Sequence, residues 1–420
     1  MDANAGRASP HLSSVAAHDV VIVGGGAGGI AAAASLLKRR RGLKIAVVEP
    51  RERHFYQPGW TMVGAGIFSF EETGRATKAV IPNGVEWIRQ EVAAFSPETS
   101  EIKLRDGRRL PYRFLVAAPG IKLDWARVEG LEATLGKNGV TSNYREGVAP
   151  YTFELVRNLK SGTAIFAQPP MPIKCAGAPQ KAMYLSADYW LRQQVLDKIE
   201  IHFCNAGAVL FGVAAYVPAL MEYVKKYRAQ LNFGENLVAV DGPARTAFFD
   251  KTSSDGASTR IVRKFDILHV CPPQATPDVV RKSALVNEAG WIDVDPQTMR
   301  HKKFPNVFAL GDAASTANAK TAAAVRKQAP VVAANLLSAM DGAPLPSKYE
   351  GYGSCPLTVE RGKIVLAEFG YDGKLQPTFP AWVNDGLKPT AQAWLLKERI
   401  LPMVYWRLML KGREWLAVPV

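Results

Sequence analysis

The sequence predicts an α/β fold with two doubly wound parallel-sheet units, followed by a basic, aromatic helical segment. Three observations predict it. A short apolar run, a glycine-rich turn and an alanine-rich stretch stand in series over residues 18–40, HDVVIVGGGAGGIAAAASLLKRR. A second alternation of apolar strand and helix begins near Pro150. Residues 386–420 carry six Lys and Arg against two Glu, set among tryptophans and leucines.

The run at 20–23 is continuous rather than alternating, as in a strand buried on both faces. Gly24, Gly26 and Gly29 then supply the spacing G-x-G-x-x-G. The first glycine permits the tight turn, the second lets the backbone approach a pyrophosphate, and the third lets the helix pack on the strand. The free N–H groups of that helix face the phosphates. A second apolar run, 44–48, ends in Glu49, where an acid takes the ribose hydroxyls of a dinucleotide. The plain alternative is a glycine-rich turn in some other α/β protein. The strand, helix and acid around the turn argue for a Rossmann-type start instead.

At 420 residues the chain suits two or three domains, and its 48% hydrophobic content is ample for sizeable cores. The net charge of +14 calls for an anionic partner. Nucleic acid ranks low, because no helix-turn-helix, finger or aromatic–basic RNA motif occurs. A membrane surface or an anionic substrate fits better. None of the four cysteines falls in C-x-x-C, so neither zinc nor a thioredoxin-like motif is indicated. His54, His202, His269 and His301 lack ligand spacing, and no metal is expected. Residues 1–17 have no long apolar stretch and no twin arginine, and are expected to be a short disordered lead. Arg7 and the serines leave a mitochondrial presequence open. No window of roughly 18 uncharged apolar residues occurs, so nothing is expected to span a bilayer.

In chain order, residues 51–66 (RERHFYQPGWTMVGAG) combine aromatics and glycines without a period, as a loop lining a planar ligand would, or a packed loop. Residues 85–95 and 101–105 are expected as strands, with Asp106-Gly107 turning into a strand at 112–117 and a Pro119-Gly120 turn. Residues 163–167 should be the first strand of the second unit. Another glycine turn belongs after it if NAD(P)H binds. The chain has QPPMPIKCAGAPQ instead, and Pro169, Pro170 and Pro172 cannot donate N–H groups to a phosphate. A helix at 182–194, a strand at 199–204, a basic amphipathic helix at 214–230 and a hairpin of 247–249 with 261–266 follow. Residues 306–310 then read as a strand before Gly311 and Asp312, with a helix over 321–340. An aspartate there accepts a ribityl hydroxyl, or simply caps a turn.

In the last segment Trp394, Leu395, Leu401, Val404, Tyr405, Leu408 and Met409 fall on one or two helical faces, broken at Pro402. Lys397, Arg399, Arg407, Lys411 and Arg413 are interspersed. This is the make-up of a helix pair lying in a membrane interface, with Trp and Tyr at head-group level. An ordinary packing helix or a dimer contact is the alternative.

The stretches IKCAGAPQKAMYLSADYW (173–190), GDAASTANAKTAAAV (311–325) and KYEGYGSCPLTVERGKIVLAEFGY (348–371) resemble sulfide:quinone oxidoreductases, and most of all the branch that includes the mitochondrial enzyme. HFYQPGWTMVGAG (54–66) and LPMVYWRLMLKG (401–412) match as well. The resemblance implies two Rossmann-like domains of the disulfide-reductase flavoprotein type, FAD, and a C-terminal amphipathic helical membrane-binding region. It assigns 18–149 and 286–345 to FAD, and 150–285 to a second Rossmann-like unit without an NAD(P) site. The remainder, 346–420, holds a redox cysteine, the quinone site and the membrane-anchoring helices. Cys175 and Cys355 sit at the family's two catalytic positions. Cys204 and Cys271 do not, and read as buried strand cysteines. Cofactor contacts carry over onto Ala27, Gly28, Glu49, Gln57, Val92, Asp312 and Lys320, beside Gly24, Gly26, Gly29 and Gly311. Pro119 departs from the threonine of the wider superfamily, which removes a hydroxyl and an N–H from that turn.

The implied chemistry is attack of hydrosulfide on a Cys175–Cys355 bond. Sulfur is retained on Cys355 as a persulfide, and electrons pass through the flavin to a quinone. The sulfur then goes to sulfite, a small thiol, cyanide or another sulfide. Lys320 would stabilise a reduced ring or polarise a quinone oxygen; its plain reading is a helix-end residue. Phe369, Tyr371 and Trp382 are the candidate quinone contacts. The implied location is peripheral, on the cytoplasmic face of a bacterial plasma membrane or, alternatively, on the mitochondrial inner membrane; a homo-oligomer is left open. Two rivals share the architecture. A type II NADH:quinone oxidoreductase requires the missing second glycine turn. The flavoprotein subunit of a flavocytochrome c sulfide dehydrogenase has no use for the basic tail. A flavin-bearing membrane scaffold without activity is the third.

Overall fold

The computed structural model describes residues 18–252 and 256–419. The lead expected at 1–17 lies outside the described residues. Strand β1 (His18–Val23) is buried between two parallel neighbours, β2 (Ile45–Val48) and the strand Arg109–Ala117. Val23 thereby pairs with Val48 on one side and Ala117 on the other, which is why this run is apolar without alternation. Helix α1 (Ala27–Arg39) follows, with Gly28 to Leu36 buried. A Cβ on Gly29 would overlap the carbonyl oxygen of Gly24, so only glycine lets the helix start this close to the strand.

The first sheet has seven strands, running from Val85–Ile88 through β2 and β1 to Arg109–Ala117, then Glu101–Leu104 and Val92–Ser96. The last two are antiparallel, so the sheet is mixed. The single strand expected at 85–95 is two, which pair with different neighbours. The chain returns to this sheet late: Val307–Ala309 lies parallel to Arg109–Ala117, and the helix Ala322–Met340 joins α1 in one apolar core.

The second sheet is all parallel, in the order Val140–Thr141, Ile267–Val270, Gly162–Gln168, Ile199–Asn205, Gln230–Phe233. Val140 and Thr141 pair with Leu268 and His269, so the chain joins this sheet ahead of residue 150. The helix expected over 214–230 is shorter, Val217–Lys226, because Gln230 already pairs with His202 as a strand. The expected hairpin is part of a three-stranded antiparallel sheet that also takes in Glu235–Asp241.

The strands Gly353–Glu360 and Lys363–Phe369 form a hairpin, with Pro389–Thr390 added at its edge. Cys355, Leu357 and Val359 point from it into the apolar core that holds the helix Ala178–Arg192. The C-terminal segment is helical from Ala391 to Lys411 with no break at Pro402. Its backbone widens to π-type turns at Leu396–Ile400 and Val404–Leu408, which accommodates a residue without an N–H. Trp394, Val404, Tyr405 and Met409 are buried against the protein, while Leu395 and Met403 face outward. Among the described residues no helix is long and apolar enough to cross a membrane.

Candidate active site

The loop after the strand Gly162–Gln168 carries the three prolines where a second nucleotide turn would lie, and delivers Cys175. The Cys175 N–H donates to the Lys320 carbonyl at 2.9 Å, tying this loop to the returning segment. Cys175 has φ +49°, a left-handed conformation that a non-glycine residue adopts at a cost. Its carbonyl accepts from the Ala178 N–H at 2.7 Å, which opens the helix Ala178–Arg192 with Pro179 in the first turn.

Cys355 reaches the same point from the hairpin. The two sulfurs stand 3.7 Å apart. Both are free thiols, at a hydrogen-bonding rather than a bonding separation. A Cβ on Gly177 would lie 2.7 Å from the Cys355 sulfur, so a glycine is what lets the strand come this near. Lys181 Nζ lies 3.0 Å from Cys175 Sγ and 3.6 Å from Cys355 Sγ, and the lysine is 2% exposed. The hydrogen bond with Cys355 and then the Lys181 ammonium hold the Cys175 thiol well below its usual range, against the opposing effect of burial. The hydrogen bond with Cys175 and burial push Cys355 well above it. Burial disfavours a charged Lys181, but the two sulfurs outweigh it and raise its proton affinity. The pair is thus asymmetric, with the thiolate on Cys175.

Three further lysines surround the pair. Lys174 Nζ donates to Gln57 Oε1 at 2.5 Å, which brings Gln57 to the site. Lys320 Nζ donates to the carbonyls of Asp312 at 2.7 Å and Ala314 at 3.1 Å, and lies 4.1 Å from the Trp291 ring centre. Burial brings Lys320 down to about 8. Lys397, on the C-terminal helical segment, donates to the Pro58 carbonyl at 3.3 Å and is 3% exposed. Burial, then Lys181, bring it down to about 7. Read from the sequence, Lys397 was one of the interspersed basic residues of an interfacial helix; it is buried instead, close enough for its charge to bear on the thiol pair. Lys181 carried a readable signal, six residues past Cys175 and at the start of a helix. Lys397 carried none.

The glycine turn expected to cradle a dinucleotide is present. Gly24 has φ +100°, and Ala118 and Pro119 pack against it. Gly26 precedes α1 without a side-chain cap, and the space beyond its Cα is open. Glu49 Oε2 accepts from the Gly25 N–H at 2.8 Å, and Oε1 accepts from the Arg51 N–H at 2.9 Å. Gly311, at φ +77°, starts the turn holding Asp312, whose half-buried carboxylate accepts no hydrogen bond among the described residues and is raised by burial. Thr316 Oγ1, between Asp312 and Lys320 in the chain, is buried without a partner among the described residues. These open donors and unpaired acceptors fit a bound dinucleotide. Val92 opens the strand Val92–Ser96 and pairs with Leu104.

The three quinone candidates occupy separate surroundings. Phe369 packs edge-on to Phe211 at 5.9 Å. The Tyr371 hydroxyl donates to the Pro296 carbonyl at 2.7 Å. Trp382 is 87% exposed. Cys204 is buried within the strand Ile199–Asn205. Cys271 lies one residue beyond its strand, where Gln274 donates to it at 3.6 Å, and burial pushes it up to about 12.

A cradle on the first sheet, a returning Gly-Asp turn and a dithiol between the units define a flavoprotein of the disulfide-oxidoreductase type. Residues 18–174 match the family model "Pyridine nucleotide-disulphide oxidoreductase". The chain belongs to the sulfide:quinone oxidoreductase family. It is 41% identical over 371 residues to the mitochondrial sulfide:quinone oxidoreductase of Dictyostelium discoideum, covering 88% of this chain and 80% of the relative. It is 39% identical over 368 residues to that of Mus musculus, covering 88% and 81%. Its fold is also that of the sulfide:quinone oxidoreductase of Aquifex aeolicus, at TM-score 0.77 and 19% identity over 94% of this chain and 92% of the other.

Proposed function

We infer that this chain catalyses the two-electron oxidation of hydrogen sulfide with a quinone as electron acceptor, and propose that Cys175 and Cys355 are its redox pair and FAD its flavin. The observation that carries the assignment is the 3.7 Å approach of two cysteines 180 residues apart, with one ammonium touching both. Hydrosulfide attacks the closed Cys175–Cys355 bond. The better leaving group is the sulfur of lower proton affinity. Lys181 makes that Cys175, which directs attack to Cys355. The products are a Cys355 persulfide and a Cys175 thiolate. An acceptor such as sulfite, a small thiol, cyanide or a second sulfide then removes the outer sulfur and leaves Cys355 as the thiolate. The two thiolates close their bond again as two electrons leave. The flavin, when bound, supplies the two-electron relay from the pair to the quinone. Hydrosulfide, one proton, the acceptor and quinone thus become sulfurated acceptor and quinol.

The NADH-linked alternative is disfavoured by the proline-bearing loop after Gly162–Gln168. A peripheral membrane position is supported by outward-facing Trp382, Val383, Leu387, Leu395 and Met403, beside exposed Lys388 and Arg399. The names of both relatives favour the mitochondrial inner membrane over a bacterial plasma membrane. Anaerobic flavin spectra test the reading. Sulfide should bleach the bound flavin, and a short-chain quinone should restore it. Bleaching by NADH with sulfide inert would overturn it.

A further inference from the structure

Two ammonium-bearing side chains, Lys181 and Lys397, are buried, 2% and 3% exposed, and the charges of both bear on the Cys175–Cys355 pair. Lys181 touches both sulfurs. Among the described residues, Lys397 makes one hydrogen bond, to a neutral carbonyl, that of Pro58. Charges in an apolar interior persist only when paired. With the Cys175–Cys355 bond closed neither sulfur carries charge, and two adjacent buried cations would stand without an anion. With the bond opened by hydrosulfide, a thiolate appears on Cys175 and one cation is balanced. The group whose charge is free to change is the one not fixed against sulfur. The charges bearing on Lys397 are Lys181 from the helix Ala178–Arg192, Cys175 from its loop and Cys355 from its strand. Its chain neighbour Glu398 is engaged with Arg399 at 3.5 Å.

Taking the redox pair as proposed above, we propose that Lys397 is the proton-exchanging group of the site: neutral while the bond is closed, protonated while the pair carries anionic charge. Opening then reads as hydrosulfide, the closed pair, neutral Lys397 and one proton giving the Cys175 thiolate, the Cys355 persulfide and the Lys397 ammonium. Charge and hydrogen balance. When the two electrons leave and the bond recloses, Lys397 releases that proton. The overall reaction consumes one proton per hydrosulfide, and this is a place in the chain where it is held. The role also explains why a basic residue of the C-terminal segment faces inward, with Ala393 and Trp394, while Leu395 and Met403 face out.

The test is the bridging equilibrium of Cys175 and Cys355 in the full flavin-loaded chain, set by glutathione redox buffers without oxygen. The bridged fraction is counted by alkylation and mass spectrometry. As pH falls below about 7, the wild-type equilibrium should shift toward the dithiol more steeply than that of Lys397→Met. The difference for one extra proton approaches tenfold per pH unit, about 30 mV. Lys397→Arg keeps a cation that does not deprotonate. It should favour the dithiol at every pH and lose the extra steepness. Equal slopes in wild type and both variants would overturn the proposal, as would a wild-type slope restored by arginine. Should Lys397→Met lose its flavin, the arginine variant alone decides. A chain that forms no Cys175–Cys355 bridge in any buffer refutes the redox pair itself, which is a different outcome.

Discussion

Lys181 Nζ lies 0.6 Å nearer to Cys175 Sγ than to Cys355 Sγ, 3.0 Å against 3.6 Å, and this small offset gives the thiol pair a direction. A buried ammonium stabilises whichever sulfur is anionic in proportion to its proximity. Replacing Lys181 by methionine should return the Cys175 thiol upward, so that its thiolate appears only at higher pH. A charge-assisted hydrogen bond contributes about 1.5–3 kcal/mol. Flavin bleaching by sulfide near neutral pH should therefore slow about tenfold to a hundredfold. The pH dependence of Cys175 alkylation in a Cys355→Ser background checks the cause.

The four cysteines should separate cleanly by substitution. Cys355→Ser removes the sulfur proposed to keep the persulfide, and should abolish flavin bleaching by sulfide. Cys204→Ser should leave it intact, because Cys204 is a buried strand thiol whose proton affinity burial raises. Cys271→Ser should also leave it intact. Unchanged bleaching in Cys355→Ser would remove the redox pair.

The C-terminal segment is latched to the first helix. Glu414, its side chain 7% exposed, accepts from Arg39 and, at 2.5 Å, from Ser35. Burial disfavours the carboxylate, but Arg39 and Ser35 outweigh it and hold Glu414 below its usual range. A lowered folded value stabilises the protein above the unfolded value near 4.5, and the contribution is lost as pH falls through the folded value. Glu414→Gln should cost about 1.5–3 kcal/mol at neutral pH. The gap in Tm between variant and wild type should close on acidification below about pH 4.

The proposed membrane attachment should depend on the outward apolar residues. Trp382→Ser combined with Leu395→Ser should reduce co-sedimentation with anionic lipid vesicles severalfold and leave sulfide-dependent flavin bleaching intact. Equal binding by wild type and the double variant would place the contact elsewhere.

Much of this was legible in the residues. Gly24, Gly26, Gly29 and Glu49 follow from the phosphate and ribose chemistry of one turn, and local sequence dictates a turn. The prolines at 169, 170 and 172 were readable for the same reason as a loop with no N–H groups to offer a phosphate at those positions. Family resemblance supplied the pairing of Cys175 with Cys355; spacing does not encode a contact across 180 residues. Tail residues were read by composition, which gives the amount of apolar and basic surface but not its direction. Tyr405, expected at a head-group level, is buried with its hydroxyl 2.6 Å from His54 Nε2, and His54 Nδ1 in turn meets the Gly25 carbonyl at 3.0 Å.

By itself the sequence determined the elements whose signal is local: the strand–turn–helix that opens the first unit, the first strand of the second, and the number of thiols. Tertiary structure alone decided which of four cysteines meet, which lysines lose their water, and which face of the last helical segment turns inward. The physical reason is that backbone geometry and burial pattern act over a few neighbours in the chain. The proton affinity of a thiol or an amine depends on the charges and water within a few ångströms, and folding recruits those from the whole length of the chain.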